Sequence, residues 1–107
     1  MVAYMVAHVT VRDTAWLSSE YMDVAGALEA KYGGVHVASG LHEQVEGTAL
    51  GPVTSILQFP TLDAAQAFWN DPEYQRVAPI RRSGSDSQVV IIEGAEEPAP
   101  FARSPTR

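Results

Sequence analysis

A histidine within an apolar run is the first feature of this sequence that suggests chemistry. His8 lies in VAYMVAHVTV, residues 2–11, where it shares an alternation parity with Tyr4 and Thr10. A neutral imidazole accepts a proton near neutral pH, and neighbouring hydroxyls can donate hydrogen bonds within a cavity. The pattern therefore predicts a catalytic pair, His8 with Tyr4. The alternative is a structural histidine, buried in the core and held by a hydrogen-bonding neighbour.

Charged and aromatic residues cluster between residues 71 and 82. We expect Arg81 or Arg82 to hold a carboxylate or enolate oxygen of a ligand, because a guanidinium presents forked donors. Tyr74 is expected to line the wall of the same pocket. The alternative is an internal salt bridge from Glu73 to one of these arginines, which would fix the segment without touching a ligand.

Two further aromatic residues extend the predicted pocket. Tyr21 and Trp69 are predicted to bind substrate together with Tyr74 and Arg81. Aromatic side chains supply large apolar surfaces for a ligand, but the helical spacing of Tyr21 is also what core packing requires. A core role for Tyr21 therefore stays open beside the binding role.

Composition limits the classes of function. The 107 residues are 46% hydrophobic and carry a formal net charge of −6, and the seven basic residues form no stripe, so we expect no nucleic-acid partner. The chain has no cysteine, and His36 and His42 lack a metal-binding motif, so neither a metal nor another cofactor is predicted. Short apolar runs and the absence of a signal-like N-terminus predict a cytoplasmic protein without a membrane partner.

Periodicity predicts the elements that position these residues. Alternation predicts strands at residues 2–11, 35–45, 53–59 and 88–93, with a bend or bulge at Gly40, and apolar spacing predicts helices between Asp13-Thr14 and Tyr32 and over residues 62–69. Gly33-Gly34 should end the first helix, and Thr61 should cap the second. Residues 72–82 are expected to form a loop or short helical turns. Residues 1–94 then form one domain, and residues 95–107 form a proline-rich tail.

The predicted order β-α-β-β-α-β is typical of the α+β, ferredoxin-like sandwich, in which two helices cover one face of a four-stranded antiparallel sheet. The first and last predicted strands are apolar on both parities. Because the helices cover one face only, a second copy of the chain is expected to cover the other. We therefore predict a homodimer whose sheets pair face to face.

Several motifs also resemble a known family. They occur in the order Tyr4–Asp13 (YMVAHVTVRD), Tyr21, Lys31–Gly34 (KYGG), Glu46-Gly47, Phe59-Pro60, Ala65-x-x-Phe68-Trp69-x-x-Pro72-Glu73-Tyr74-Gln75 and Pro79-x-Arg81. Over roughly residues 4–94 this pattern is similar to the family known as domain of unknown function 1330. The resemblance implies the dimeric α/β-barrel superfamily, whose relatives include cofactor-free monooxygenases, isomerases, polyketide cyclases and haem enzymes. It implies a fold and a dimer rather than a reaction.

Two functions follow as hypotheses. The first is a cofactor-independent small-molecule enzyme, in which a pocket between sheet and helices holds a carbonyl or phenolic substrate. His8 would move a proton there, as in isomerase, cyclase or monooxygenase-like chemistry, while a tyrosine or arginine steadies the oxyanion. The second is a non-catalytic homodimer that binds a small ligand or another protein.

Overall fold

The computed structural model describes residues 1–95 and shows a four-stranded antiparallel sheet with three α-helices on one face. The elements are β1 (Ala3–Val11), α1 (Glu20–Lys31), β2 (Val35–Leu41), β3 (Val53–Phe59), α2 (Leu62–Asn70), α3 (Pro72–Gly84) and β4 (Ser85–Glu93). The strand order is β2-β3-β1-β4. The predicted α+β, ferredoxin-like sandwich is therefore confirmed. The predicted tail lies almost wholly outside the described residues.

The segment expected to form a loop or short helical turns is one continuous helix, α3, so the element order is β-α-β-β-α-α-β. Asp71 ends α2 and caps α3, where its side chain accepts a hydrogen bond from the backbone N–H of Glu73. Pro72 occupies the first turn of α3, where a missing N–H costs nothing. The Asn-Asp-Pro sequence thus ends one helix and starts the next, and the prediction missed a continuous helix of 13 residues where it expected a loop or short helical turns.

The first helix begins later than predicted. Residues Ala15–Ser18 form a separate short 3-10 helix, and the side chain of Thr14 makes no capping hydrogen bond. Ser19 caps α1 instead, because its hydroxyl accepts from the backbone N–H of Tyr21. The predicted end is confirmed: Gly33 has φ of 78° in the left-handed region that favours glycine.

Two strands also differ from their predicted bounds. β2 ends at Leu41 rather than at Val45. Its register with β3 shifts between His36 and Ala38. The centre of this irregularity therefore lies three residues before Gly40, where the bend or bulge was predicted. β4 begins at Ser85 rather than at Gln88, because it pairs with β1 as far as Val11.

The two faces of the sheet have different surroundings. Odd-numbered residues of β1, among them Met5 and Ala7, face the helices. The core on this side includes the fully buried side chains of Phe59, Phe68 and Val77. The opposite face carries no element of residues 1–95, and no helix in this range is long and apolar enough to cross a membrane.

Candidate functional site

A cavity of about 540 Å³ lies between the sheet and α1. Its floor is formed by helix-facing residues of the strands, among them Ala7, Ser55 and Val89, and its wall by one face of α1. Helix α1 packs mainly on α3 and the short 3-10 helix, which leaves space between α1 and the strands. The volume lies within the range typical of small-molecule sites.

Small residues on α1 keep this space open. Ala25 and Gly26 line the cavity one turn beyond Tyr21. A Cβ added at Gly26 would meet no atom within 4 Å. Larger side chains at these two positions would project into the space, so the sequence of α1 preserves the cavity.

Arg81 supplies the positive charge of the cavity. Its side chain lines the cavity and is only 7% exposed. None of the ion pairs within residues 1–95 includes Arg81. The guanidinium carbon lies 5.8 Å from the ring centroid of Tyr21. A buried cation without a carboxylate partner is costly, so this charge is well placed to receive an anionic group.

Two tyrosine hydroxyls lie in the same wall. The hydroxyl of Tyr21 is 3.0 Å from that of Tyr74, and both side chains are buried. Burial raises the pKa of Tyr21, and the adjacent Tyr74 raises it further. Tyr21 therefore stays protonated at neutral pH, and a phenolic O–H can donate a hydrogen bond. Trp16 packs edge-on against Tyr21 at 5.7 Å, and its buried Nε1 has no acceptor within the described residues.

The structure brings together the four residues predicted to bind substrate. Tyr21, Trp69, Tyr74 and Arg81 all line the cavity. The alternative for the arginine, a salt bridge to Glu73, is not what forms: Glu73 pairs with Arg76 at 3.0 Å.

The structure separates the predicted catalytic pair from this cavity. His8 and Tyr4 lie on the opposite face of the sheet, so the expectation that His8 moves a proton in a pocket between sheet and helices was wrong. The His8 Nδ1 is 3.0 Å from the hydroxyl of Thr54, and His42 Nδ1 contacts the same hydroxyl at 2.7 Å. This arrangement agrees with the structural alternative for His8, a histidine held by its neighbours.

A second acid-base pair lies at the cavity instead. Glu29 near the end of α1 and His36 on β2 both line it, with His36 Nε2 3.1 Å from Glu29 Oε1. From the sequence, His36 was considered only as a metal ligand. No group of three or more metal-binding side chains occurs within residues 1–95. The sequence offered one signal for this pair, because Glu29 and His36 are seven residues apart on either side of the tight Gly33-Gly34 connection.

Comparison with protein families identifies the relatives of this chain. The family profile described as "Domain of unknown function (DUF1330)" matches residues 2–95. The chain belongs to the DUF1330 family. Comparison of this DUF1330 protein with the curated proteins gives no match.

Solved structures similar to this DUF1330 protein share its fold. The RPA0582 protein of Rhodopseudomonas palustris, described as being of unknown function, has a TM-score of 0.70 at 18% identity, covering 90% of this chain and 84% of that one. A dimeric ferredoxin-like protein of unknown function from Jannaschia gives 0.65 at 16% identity, covering 88% and 100%. SnoaB from Streptomyces nogalater, a cofactor-independent oxygenase, gives 0.58 at 19% identity, covering 90% and 95%. At these identities the likeness shows the fold alone.

Proposed function

We propose that this protein is a cofactor-independent enzyme that acts on a largely apolar small molecule with a carbonyl or phenolic oxygen. The observation that carries the proposal is Arg81, a buried cation without an ion-pair partner in residues 1–95, at the wall of a mainly apolar cavity. A ligand whose oxygen becomes negative would supply the missing countercharge. SnoaB, with the same fold, is described as a cofactor-independent oxygenase, which supports this class of chemistry.

The two tyrosines extend the site for the oxygen. A hydroxyl pair 3.0 Å apart can donate at most one hydrogen bond within the pair, so at least one O–H is free for a ligand. Hydrogen bonds to charged groups contribute about 1.5–3 kcal/mol each. Arg81 with Tyr21 or Tyr74 would therefore favour the anionic form of a phenol or an enol over the neutral form.

The placement of His8 favours a second candidate function. Because the predicted catalytic pair lies outside the cavity, the cavity could bind an anionic ligand without transforming it. The protein would then be a non-catalytic homodimeric ligand-binding protein. Turnover, measured beside binding, separates this candidate from the enzyme.

We also propose a homodimer formed through the open face of the sheet. The register places Ala38, Ile56, Val6 and Val90 in one apolar row across all four strands. Val90 and its neighbour Ile92 are each 58% exposed. An apolar row of this length is typical of an interface rather than of a solvated surface. The Jannaschia relative with this fold is described as dimeric.

The binding proposal is tested by titrating the protein with nitrophenolate. We expect saturable binding that weakens about 10-fold or more in Arg81→Met, since one charge-assisted interaction of about 1.5 kcal/mol is lost. Arg82→Met is the matched control, because Arg82 is the adjacent residue of α3 and is exposed. Equal affinity in wild type and Arg81→Met would contradict the proposal.

A further inference from the structure

The Glu29–His36 pair and Arg81 line the same cavity, and the pair lies about two helical turns beyond Tyr21 along α1. Glu29 is eight residues beyond Tyr21 on α1, which is about 12 Å at the helical rise of 1.5 Å per residue. Tyr21 carries the Arg81 guanidinium over its ring. The cavity therefore has an oxyanion site at one end and an acid-base pair at the other, with apolar walls between them.

The hydrogen bond between the pair selects the reactive nitrogen. The Nε2 of His36 is 3.1 Å from the Glu29 carboxylate. A carboxylate accepts a hydrogen bond, so the neutral imidazole carries its proton on Nε2 and its free lone pair on Nδ1. No described residue forms a hydrogen bond with His36 Nδ1. That nitrogen is free to take a proton from a ligand.

Exposure of the two side chains suits proton transfer. The His36 side chain is 52% exposed and that of Glu29 is 20% exposed, which places them at the mouth of the cavity. The imidazole can therefore exchange a proton with solvent after each reaction. Burial raises the pKa of Glu29, and the adjacent His36 opposes this rise. The remaining titratable groups of the cavity are Tyr21, Tyr74 and Arg81.

We infer that His36 is the proton-transfer residue of this cavity and that Glu29 is its positioning residue. The inference rests on the proposed function, because it requires a ligand whose oxygen lies at Arg81. The substrate class is a compound with an acidic C–H bond whose removal places negative charge on oxygen. His36 Nδ1 takes the proton, and the electron pair of the C–H bond moves through the ligand toward that oxygen.

A nitrobenzisoxazole tests this assignment without knowledge of the natural substrate. His36 Nδ1 would remove the C–H proton, and the electron pair of that bond would complete a nitrile as the ring N–O bond breaks. The oxygen leaves with the N–O electron pair as a coloured phenolate, which departs to solvent at the mouth of the cavity. No metal, oxidant or reductant is needed, and absorbance follows the reaction.

Wild type should turn the probe over with saturation kinetics. We expect kcat to fall about 10²-fold in His36→Gln, the lower end of the range for loss of a general base. The affinity for nitrophenolate should stay unchanged in this variant. His42→Gln is the matched control, since His42 lies outside the cavity. Added imidazole should restore part of the rate in His36→Ala.

Glu29→Gln tests the positioning role. A glutamine oxygen can still accept from Nε2, but it lacks the carboxylate charge, so kcat should fall while KM and the melting temperature stay unchanged. A change in KM or in stability alone would assign Glu29 a structural role instead.

Two results would overturn the assignment of His36. One is a rate in His36→Gln equal to that of wild type, whether both are fast or both are negligible. The other is a turnover rate that falls in His8→Gln but stays at the wild-type level in His36→Gln. Failure of the proposed function has a different signature, because wild type would then not bind nitrophenolate or Arg81→Met would bind it equally well.

Discussion

Arg81 should limit stability while it supports binding. Arg81→Met removes a side chain that is only 7% exposed and lacks an ion pair in residues 1–95, and it keeps most of the apolar stem. Arg81→Met removes the effective penalty for burying an ion, which is several kcal/mol and is reduced here by the open cavity. It also loses the contact with the Tyr21 ring, which contributes about 0.5–2 kcal/mol. We therefore expect a net stabilisation of about 1 kcal/mol.

Urea unfolding measures this difference, and Arg82→Met serves as the control. The stabilisation of about 1 kcal/mol corresponds to a rise of about 4–8 °C in melting temperature for a domain of about this size. Nitrophenolate at 100 times its wild-type dissociation constant should cancel this difference, since it adds about 2.7 kcal/mol to wild type and only about 1.4 kcal/mol to a variant that binds about 10-fold more weakly. A loss of more than about 1 kcal/mol in Arg81→Met with an unchanged m-value would refute the reasoning, because it would show that the charge is already compensated.

Variants at three other positions test separate parts of the structure. Gly26→Ala should raise the free energy of unfolding by up to about 1 kcal/mol, because alanine has the higher helix propensity. Gly26→Trp should fold and lose nitrophenolate binding. A fall in stability in Gly26→Ala would contradict the open space next to Gly26. Tyr32→Phe should lower stability at neutral pH, because the Tyr32 hydrogen bond lowers the pKa of Asp71. That stabilisation is present above the unfolded pKa of about 3.9 and is lost as pH falls through the lower folded pKa, so the two unfolding curves should converge in acid. Val6→Lys should convert a dimer into a monomer in sedimentation, and a wild-type monomer would contradict the proposed interface.

Local signals were sufficient to predict most of the fold. Alternation predicted β3 at its observed bounds, and Thr61 caps α2 as expected, since its hydroxyl accepts from the backbone N–H of Ala64. Helix α3 was missed because Asn70-Asp71-Pro72 was interpreted as a break rather than as the start of a second helix. Its buried face nevertheless follows helical spacing, at Tyr74, Val77, Ala78 and Arg81. Arg81 is one of these buried positions, and an arginine among them was the sequence signal for both helix α3 and the candidate site.

The choice between the two sheet faces was the main limit on predicting the site. Alternation assigns the residues of β1 to two faces but does not say which face the helices cover. The odd-numbered positions of β1 are all apolar, whereas the even-numbered ones include Tyr4, His8 and Thr10. The wholly apolar side packs against the helices, and this contrast could have placed His8 on the other face. The Glu29–His36 pair was harder to predict, because it depends on how α1 and β2 meet.

Three positions that break local rules surround the cavity. Gly26 lies inside α1, where alanine would be more favourable by about 1 kcal/mol. Arg81 occupies a position of the core stripe of α3 that an apolar residue would fill at lower cost. His36 points from an edge strand to the helix side of the sheet, where it meets Glu29. Because local rules are broken mainly where function requires it, the presence of all three positions at one cavity supports the proposal that this cavity is the functional site.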